Sequence, residues 1–373
     1  MVRSSLFLTL GLLLASSSWV QQADAQQQCN GYAELCSRTY DKVSYPTTHN
    51  AYAFKPPNGL ASNQANNIPT QLKDGIRAFM LDAYNALSGN PNEIQLCHTL
   101  CSLMDGGTLS DTLAQIKTFM DANPNETNPG IPTTLSNPYI QVITILWENA
   151  ANLKPAQFQA VYAAAGLSPY LYAQAKGAAA WPTLAQMISS KKRLVNFVDS
   201  GADASVPWLM AEYDFVFETP YNIPKGTAYP CTIDRPKDQR KPMYVLNHFI
   251  SGVFSWQGDS ISIPQPDAAD QTNGPDLVSH INSCQTTFKQ IPNFVAVDFY
   301  QKGSLTETVA KVNKVTWNGI VATAGNNGTT NGGSKGSGNN SGSGNAAAGS
   351  LLTDKFVATG FLATAVGAIT LLL

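Results

Sequence analysis

The chain has 373 residues, of which 43% are hydrophobic and 13% are charged, and its formal net charge is −2. The hydrophobic fraction is ample for a sizeable core, which excludes a chain that is disordered throughout. There is no basic run and no long acidic tract, so the charge pattern argues against a nucleic-acid-binding protein.

The amino terminus predicts a secretory signal. Arg3 is followed by the apolar run LFLTLGLLLA, and the segment finishes at Ala23-Asp24-Ala25. A charged start, a short apolar stretch and small residues at the end are typical of a cleaved signal peptide. We therefore expect residues 1–25 to be removed.

Eight apolar runs of strand length follow, and each ends in an ionisable residue. Runs that are almost continuously apolar are typical of parallel strands covered on both faces. In chain order they are VSYPTTH (ending at His49), IRAFMLD (Asp82), EIQLCH (His98), YIQVITILWE (Glu148), RLVNFVD (Asp199), YDFVFE (Glu218), MYVLNH (His248) and NFVAVD (Asp298).

Helical patterns lie between several of these runs. TLSDTLAQIKTFMDANP repeats apolar residues at helical spacing and begins with a Thr108-x-x-Asp111 cap. KPAQFQAVYAAAG, WPTLAQMISSKK and GSLTETVAKVNK are similar, whereas 200–240 and 250–275 are rich in loops. The alternation predicts a single-domain (β/α)8 TIM-barrel-like α/β fold over 26–322, with its active site at the carboxyl ends of the strands.

The cysteine count is even, which in an oxidising compartment indicates disulfides. Six cysteines allow fifteen connectivities, and closeness in sequence favours 29–36 and 97–101, leaving 231–284. A zinc site around His98, between Cys97 and Cys101, is the alternative. The six cysteines are Cys29, Cys36, Cys97, Cys101, Cys231 and Cys284.

The carboxyl terminus predicts a tether and a lipid anchor. Residues 323–345 are almost only Gly, Asn, Ser, Ala and Thr, which is typical of a flexible linker. Residues 346–373 combine small residues, a polar spacer and an apolar tail, as in a removed glycosylphosphatidylinositol (GPI) signal with attachment at Asn345. A single-pass anchor is the alternative. We expect a monomer on the outer face of the plasma membrane or cell wall, glycosylated at Asn125, Asn327 and Asn339.

The polar strand ends carry a possible chemistry. His49 and His98 could exchange protons with a substrate, and Asp298 could orient the first of them. Oxygen ligands from Asn50, Asp82 and Glu148 would suit calcium or magnesium, and such a cation would neutralise a phosphodiester.

Eight stretches carry a resemblance to a known family. THNAY, GIRAFMLDAY, CHTLCS, FMDANPNE and ITILWEN occur in the order typical of the X-domain of phosphatidylinositol-specific phospholipase C. WPTLAQMISSKKRLVNF, VLNHF and PNFVAVDFY are similar to a secreted fungal and plant branch, the phospholipase C-like phosphodiesterases. The resemblance implies a TIM barrel in which His49 is the general base, His98 the general acid and Asp298 the partner of His49. It implies calcium ligands at Asn50, Asp82 and Glu148.

Three departures from that family pattern bear on metal binding and on the substrate. Met80 stands where calcium-dependent members have a second acid, and Asp82 stands where metal-independent members have an arginine. Lys191, Lys192 and Arg193 lie at the wrong end of a strand for substrate phosphates. We therefore expect a phospholipid or inositol-type phosphodiester without further phosphates.

Two histidines remain. His248 ends a strand and is predicted to contact substrate, whereas His280 falls in a helical stretch and is expected at the surface. The sequence thus predicts a cell-surface phosphoric diester hydrolase assisted by Ca2+. The alternative is an inactive barrel that binds a glycan or lipid headgroup.

Overall fold

The computed structural model describes residues 28–54, 61–98, 100–122, 139–178, 180–221, 223–256 and 259–324. These residues fall within one compact unit that spans Met1–Thr329. None of their helices has the length and apolar character needed to cross a bilayer. The signal peptide, Asn125, Asn327, Asn339, Asn345, most of the tether and the GPI signal lie outside the described residues.

The strands of the described residues are, in chain order, β1 (Gln28–Cys29), β2 (Tyr45–Thr48), β3 (Ala78–Asn85), β4 (Ile94–Cys97), β5 (Asp105–Thr108), β6 (Tyr139–Ile140), β7 (Ile143–Glu148), β8 (Leu194–Val198), β9 (Leu209–Ala211), β10 (Val216–Glu218), β11 (Ile223–Pro224), β12 (Met243–Asn247), β13 (Ile250–Trp256), β14 (Asp259–Pro264) and β15 (Phe294–Val297).

The α-helices are α1 (Ile68–Lys73), α2 (Leu109–Ala122), α3 (Pro155–Ala164), α4 (Leu184–Ser189), α5 (Glu212–Phe215), α6 (Ala269–Gln271), α7 (Leu277–Phe288) and α8 (Leu305–Val312). Short 3-10 turns occupy Ala33–Leu35, Tyr40–Lys42, Ser168–Tyr170 and Pro266–Ala268, and the kinked segment Thr272–Asp276 leads into α7. The predicted cap of α2 is present, because Thr108 Oγ1 accepts a hydrogen bond from the amide of Asp111.

Eight parallel strands form one curled sheet, in the order β10, β12, β15, β2, β3, β7, β8, β9. This confirms the predicted α/β barrel-like class. Within the described residues no ladder pairs β9 with β10, and α5 joins these two edge strands. The barrel is therefore open at one seam.

Seven of the eight predicted runs enter this sheet, but EIQLCH does not. It forms β4, which pairs antiparallel with both β3 and β5. Strand β3 continues beyond Asp82 to Asn85, so the chain turns back on it as a hairpin instead of crossing over. The eighth parallel strand is β9, a three-residue strand that is too short to stand out in the sequence. The predicted loop region after 250 contains the antiparallel hairpin of β13 and β14.

Two apolar clusters lie on opposite faces of the sheet. Phe79, Leu81 and Trp147 belong to the outer cluster, which also contains helix residues. Ala78 and Leu146 belong to the inner cluster, against which Met80 packs. This alternation follows from the two-residue period of a strand, and it puts Met80 and Asp82 on the same inner face.

Three disulfides join Cys29–Cys36, Cys97–Cys101 and Cys231–Cys284, the pairing that closeness in sequence favours. The zinc alternative at Cys97 and Cys101 is wrong, because the two sulfurs bond to each other. In the part of the chain that the structure describes, Cys231, His280 and Cys284 form the one group of at least three His, Cys, Asp or Glu side chains whose possible ligand atoms lie within 4.8 Å of one another. Its two sulfurs are likewise oxidised to a disulfide.

Candidate active site

His49 and Asp298 meet because their strands are neighbours. Strands β2 and β15 run parallel with Thr48 beside Val297, so the residues that follow both strands lie side by side. His49 Nδ1 lies 2.9 Å from Asp298 Oδ1. The predicted base and its orienting carboxylate are therefore in hydrogen-bond contact.

Asn63 fixes the orientation of this pair. Its Nδ2 donates to Asp298 Oδ1 at 3.0 Å and lies 3.3 Å from His49 Nδ1. Because a carboxylate only accepts, the Nδ1 proton of His49 points to Asp298 and Nε2 is left as the basic atom. Gln64 Nε2 donates to the carbonyl oxygen of His49 at 2.8 Å and holds the main chain. Sequence reasoning missed Asn63 and Gln64, which lie in the irregular stretch ASNQANN without any motif.

His98 follows β4, on the hairpin added to the barrel. Its amide donates to Met104 O at 3.1 Å, and its Nδ1 donates to Ala61 O at 2.9 Å. The carbonyl can only accept, so this contact fixes the proton of the neutral ring on Nδ1. Burial lowers the pKa of His98, and the hydrogen bond to Ala61 acts in the opposite direction.

One cleft of about 390 Å³ brings the predicted residues together. The base His49 and the acid His98 both line it, and so does Asp298. Asn50, Asp82 and Glu148 also contribute to the lining. All the residues that the sequence predicts for proton transfer and metal binding therefore line one cleft at the carboxyl ends of the strands.

The three side chains predicted to be oxygen ligands have features that would suit a cation. Asn50 is buried with a left-handed backbone (φ 44°), and its Oδ1 has no hydrogen-bond partner among the described residues. Asp82 and Glu148 are direct neighbours in the register of β3 and β7. Burial, reinforced by the charge of Glu148, raises the pKa of Asp82 well above its usual value. The side chain of Glu148 is exposed at the end of β7, and partial desolvation by the residues around it still raises its pKa. A divalent cation would offset these costs of holding ionised carboxylates together.

A smaller pocket lies next to the cleft and shares His49, Asp82 and Glu148 with it. Asp199 and Glu218, the last residues of two of the predicted apolar runs, line this pocket together with Glu212 and Arg235. Arg235 Nη2 donates to Glu218 Oε2 at 2.8 Å, and its guanidinium lies 4.4 Å from the ring centre of Tyr221. Arg235 is the only lysine or arginine in either described lining. Sequence reasoning missed Glu212 and Arg235, since neither ends an apolar run.

His248 is not part of the cleft, which corrects its predicted contact with substrate. It is fully buried, with Nδ1 2.9 Å from Nδ1 of His280 and Nε2 donating to Thr272 O at 2.8 Å. His280 is only 4% exposed, so its predicted surface position is also wrong. Burial lowers the pKa of His248 to about 4 and that of His280 to about 3. The next residue, Phe249, reaches the cleft instead.

The chain is similar to known proteins over most of its length. The family model described as PI-PLC X 1 matches residues 35–313. PI-PLC X domain-containing protein 1 of Arthroderma benhamiae is 31% identical over 320 residues, covering 82% of this chain and 97% of that protein. An uncharacterized secreted protein of the same fungus is 32% identical over 308 residues, covering 78% of this chain but only 65% of that protein. The solved phosphatidylinositol-specific phospholipase C of Listeria monocytogenes is 16% identical, with a TM-score of 0.47, covering 75% of this chain and 94% of that one.

Proposed function

This chain belongs to the PI-PLC X-domain family, and from that premise we propose that it is a phosphoric diester hydrolase. The observation that carries the proposal is the shared cleft, in which the His49–Asp298 pair and His98 take part together. A phosphodiester needs both a base for its nucleophile and an acid for its leaving group, and the cleft supplies one imidazole for each.

The reaction uses the two histidines in turn. His49 Nε2 removes the proton from the nucleophile, which is a hydroxyl of the substrate itself or a water molecule. Asp298 keeps the imidazole in the required tautomer and stabilises it when it becomes charged. His98 gives a proton to the departing alkoxide oxygen. A substrate with a vicinal hydroxyl would yield a cyclic phosphate first.

Asn50, Asp82 and Glu148 would hold the predicted divalent cation, Ca2+ in the first instance. When bound, that cation supplies positive charge that balances the phosphate oxygens. The cleft and the adjoining pocket are lined by several carboxylates and by one basic residue, Arg235, so a bound phosphate would need additional positive charge. Without a compensating charge, this cleft would repel a phosphodiester.

The rest of the lining favours a headgroup that carries no further phosphate. Tyr84 and Tyr221 supply aromatic surface, and Ser251 and Ser262 supply hydroxyls. Such groups suit a polyol or sugar rather than a polyphosphate, which would need clustered arginine and lysine. We therefore propose phosphatidylinositol, a glycosylated relative or another neutral-headgroup phosphodiester as the substrate.

Turnover of a phosphodiester substrate by the purified full-length protein would test the proposal directly. We expect the purified protein to cleave a fluorogenic inositol phosphodiester in the presence of Ca2+, and His49→Ala to abolish this turnover. Asp111→Asn serves as the control and should keep full turnover, because this exposed side chain lies in the first turn of α2, outside the cleft. Equal rates for the wild type and His49→Ala would remove the mechanism.

A second candidate is a barrel that binds a glycan or lipid headgroup without cleaving it. Met80 favours it, because this residue lies on the inner face beside Asp82 and leaves the carboxylate set one short. Headgroup binding measured by calorimetry, combined with no turnover at any Ca2+ concentration, would select this alternative over the hydrolase.

The proposed location is the outer face of the plasma membrane or cell wall, through a GPI anchor at Asn345. The support is the sequence of both termini together with the relative that is named as secreted. Mass spectrometry of the mature carboxyl-terminal peptide should find a lipid-linked remnant at this position. A mature chain that continues to Leu373 would contradict it.

A further inference from the structure

The ring of Phe249 lies flat on the imidazole of His49. Their ring centres are 3.8 Å apart, and the two planes differ by 3°. Phe249 is only 5% exposed. The hydrogen bond to Asp298 fixes one atom of the imidazole but leaves the ring plane free to tilt about that contact. A parallel ring at van der Waals distance removes this freedom.

The main chain on both sides of Phe249 is held in place. On one side, the amide of His248 donates to Ala296 O at 2.9 Å. The imidazole ring of His248 is held by hydrogen-bond contacts with His280 and with Thr272 O. On the other side, Ile250 pairs with Ile223 in the parallel ladder of β11 and β13. The phenyl ring is therefore a rigid support, and the buried histidine pair gains a role as its anchor.

Orientation of a base has a large effect on rate, because a proton moves only along a well-aligned hydrogen bond. His49 Nε2 must point into the cleft, and its direction is set by the plane of the ring. We propose that Phe249 is a positioning residue for His49, which keeps the imidazole plane aligned for proton transfer. This inference rests on the hydrolase activity proposed above.

The test compares three variants of the full chain with a phosphodiester substrate. Phe249→Leu keeps an apolar side chain but removes the flat face, and it should lower kcat about tenfold with KM within about twofold. Phe249→Tyr restores a flat ring and should keep at least about half of the wild-type kcat. Phe288→Leu is the control, because Phe288 is similarly buried and packs on Phe217 and Tyr244 instead. It should lose stability with kcat unchanged.

A spectroscopic readout separates orientation from general damage. The ring protons of His49 should show an upfield ring-current shift in the wild type and in Phe249→Tyr, and this shift should disappear in Phe249→Leu. A raised KM with unchanged kcat would overturn the inference, because it would make Phe249 a substrate contact. Equal turnover of wild type and Phe249→Leu would overturn this role alone, whereas a wild type without any turnover would overturn the proposed hydrolase.

Discussion

His49 Nδ1 and Asp298 Oδ1 lie 2.9 Å apart, although 249 positions separate the two residues in the chain. Parallel pairing of β2 with β15 produces this contact, since it puts the first and last strands of the barrel side by side. The carboxylate is held further by Asn63.

Replacing this carboxylate should remove most of the activity. Asp298→Asn keeps the shape but can donate to Nδ1, which favours the tautomer with its proton on Nε2, where the base must accept. We expect kcat to fall by about two to four orders of magnitude, as for other histidine–carboxylate pairs. Steady-state kinetics with the folded variant, verified by circular dichroism, would show this. A loss below about fivefold would mean that Asp298 does not orient His49.

The activity should be greatest on the acid side of neutrality. His98 must be protonated to act as an acid, and burial lowers its pKa below the usual value of about 6.5. The protonated fraction is therefore lost as pH rises through a value below that of a free histidine. We expect kcat/KM to decline along an alkaline limb that begins below about pH 6.5. If the residual activity of His98→Ala shows the same alkaline limb in its kcat/KM profile, that limb belongs to the titration of another group.

Calcium should raise the melting temperature through Asp82. A ligand that binds only the folded state stabilises it by about 2.7 kcal/mol at 100 times its Kd. Asp82→Asn should lose this response. The same variant should be more stable than the wild type without cation, because burial and Glu148 raise the pKa of Asp82 and make its ionised form costly. Differential scanning fluorimetry with Ca2+ and with chelator measures both effects.

The exposed Asp111 provides the matched control for the calcium experiment, because it lies in the first turn of α2 outside the cleft. Asp111→Asn should keep the full calcium response. A response that survives in Asp82→Asn would place the cation elsewhere.

Acid should destabilise the fold through the buried histidine pair. Burial lowers the pKa of His248 to about 4 and that of His280 to about 3, below the value of an unfolded histidine. Between about pH 6.5 and 4 the unfolded chain therefore binds more protons, so stability is full above this range and falls within it. His248 alone should contribute a loss of about 3 kcal/mol.

Urea unfolding at pH 7, 5.5 and 4 would measure this slope. His280→Leu should be less stable at pH 7, because His248 loses its partner, but it should show a shallower dependence on pH. A slope that is equal in the variant and the wild type would exclude the pair as its source.

The sequence predicted the barrel well where strands were long and continuously apolar. ITILW in β7 shows why: a parallel strand that is covered on both faces needs apolar residues throughout. The same property hides the direction of each side chain, since there is no alternation to read. This is why His248 was predicted to face the cleft when Phe249 does.

The remaining differences have similar physical origins. β4 has the composition of a buried strand, and composition does not distinguish a hairpin strand from a crossover strand. β9 has three residues, which is below the length at which a pattern can emerge. Asn63 and Arg235 act through tertiary contacts that join distant loops, so no local spacing signals them.

The hairpin of β4 and β5 gives the two imidazoles separate structural origins. His49 belongs to the barrel itself, whereas His98 is carried by an appendage that the eight parallel strands do not need. A related chain without this hairpin would keep the barrel, His49 and the proposed cation ligands. It would lack His98, which in the proposed mechanism protonates the leaving oxygen. In the proposed mechanism, the presence of this one hairpin therefore decides whether the barrel can cleave its ligand or only bind it.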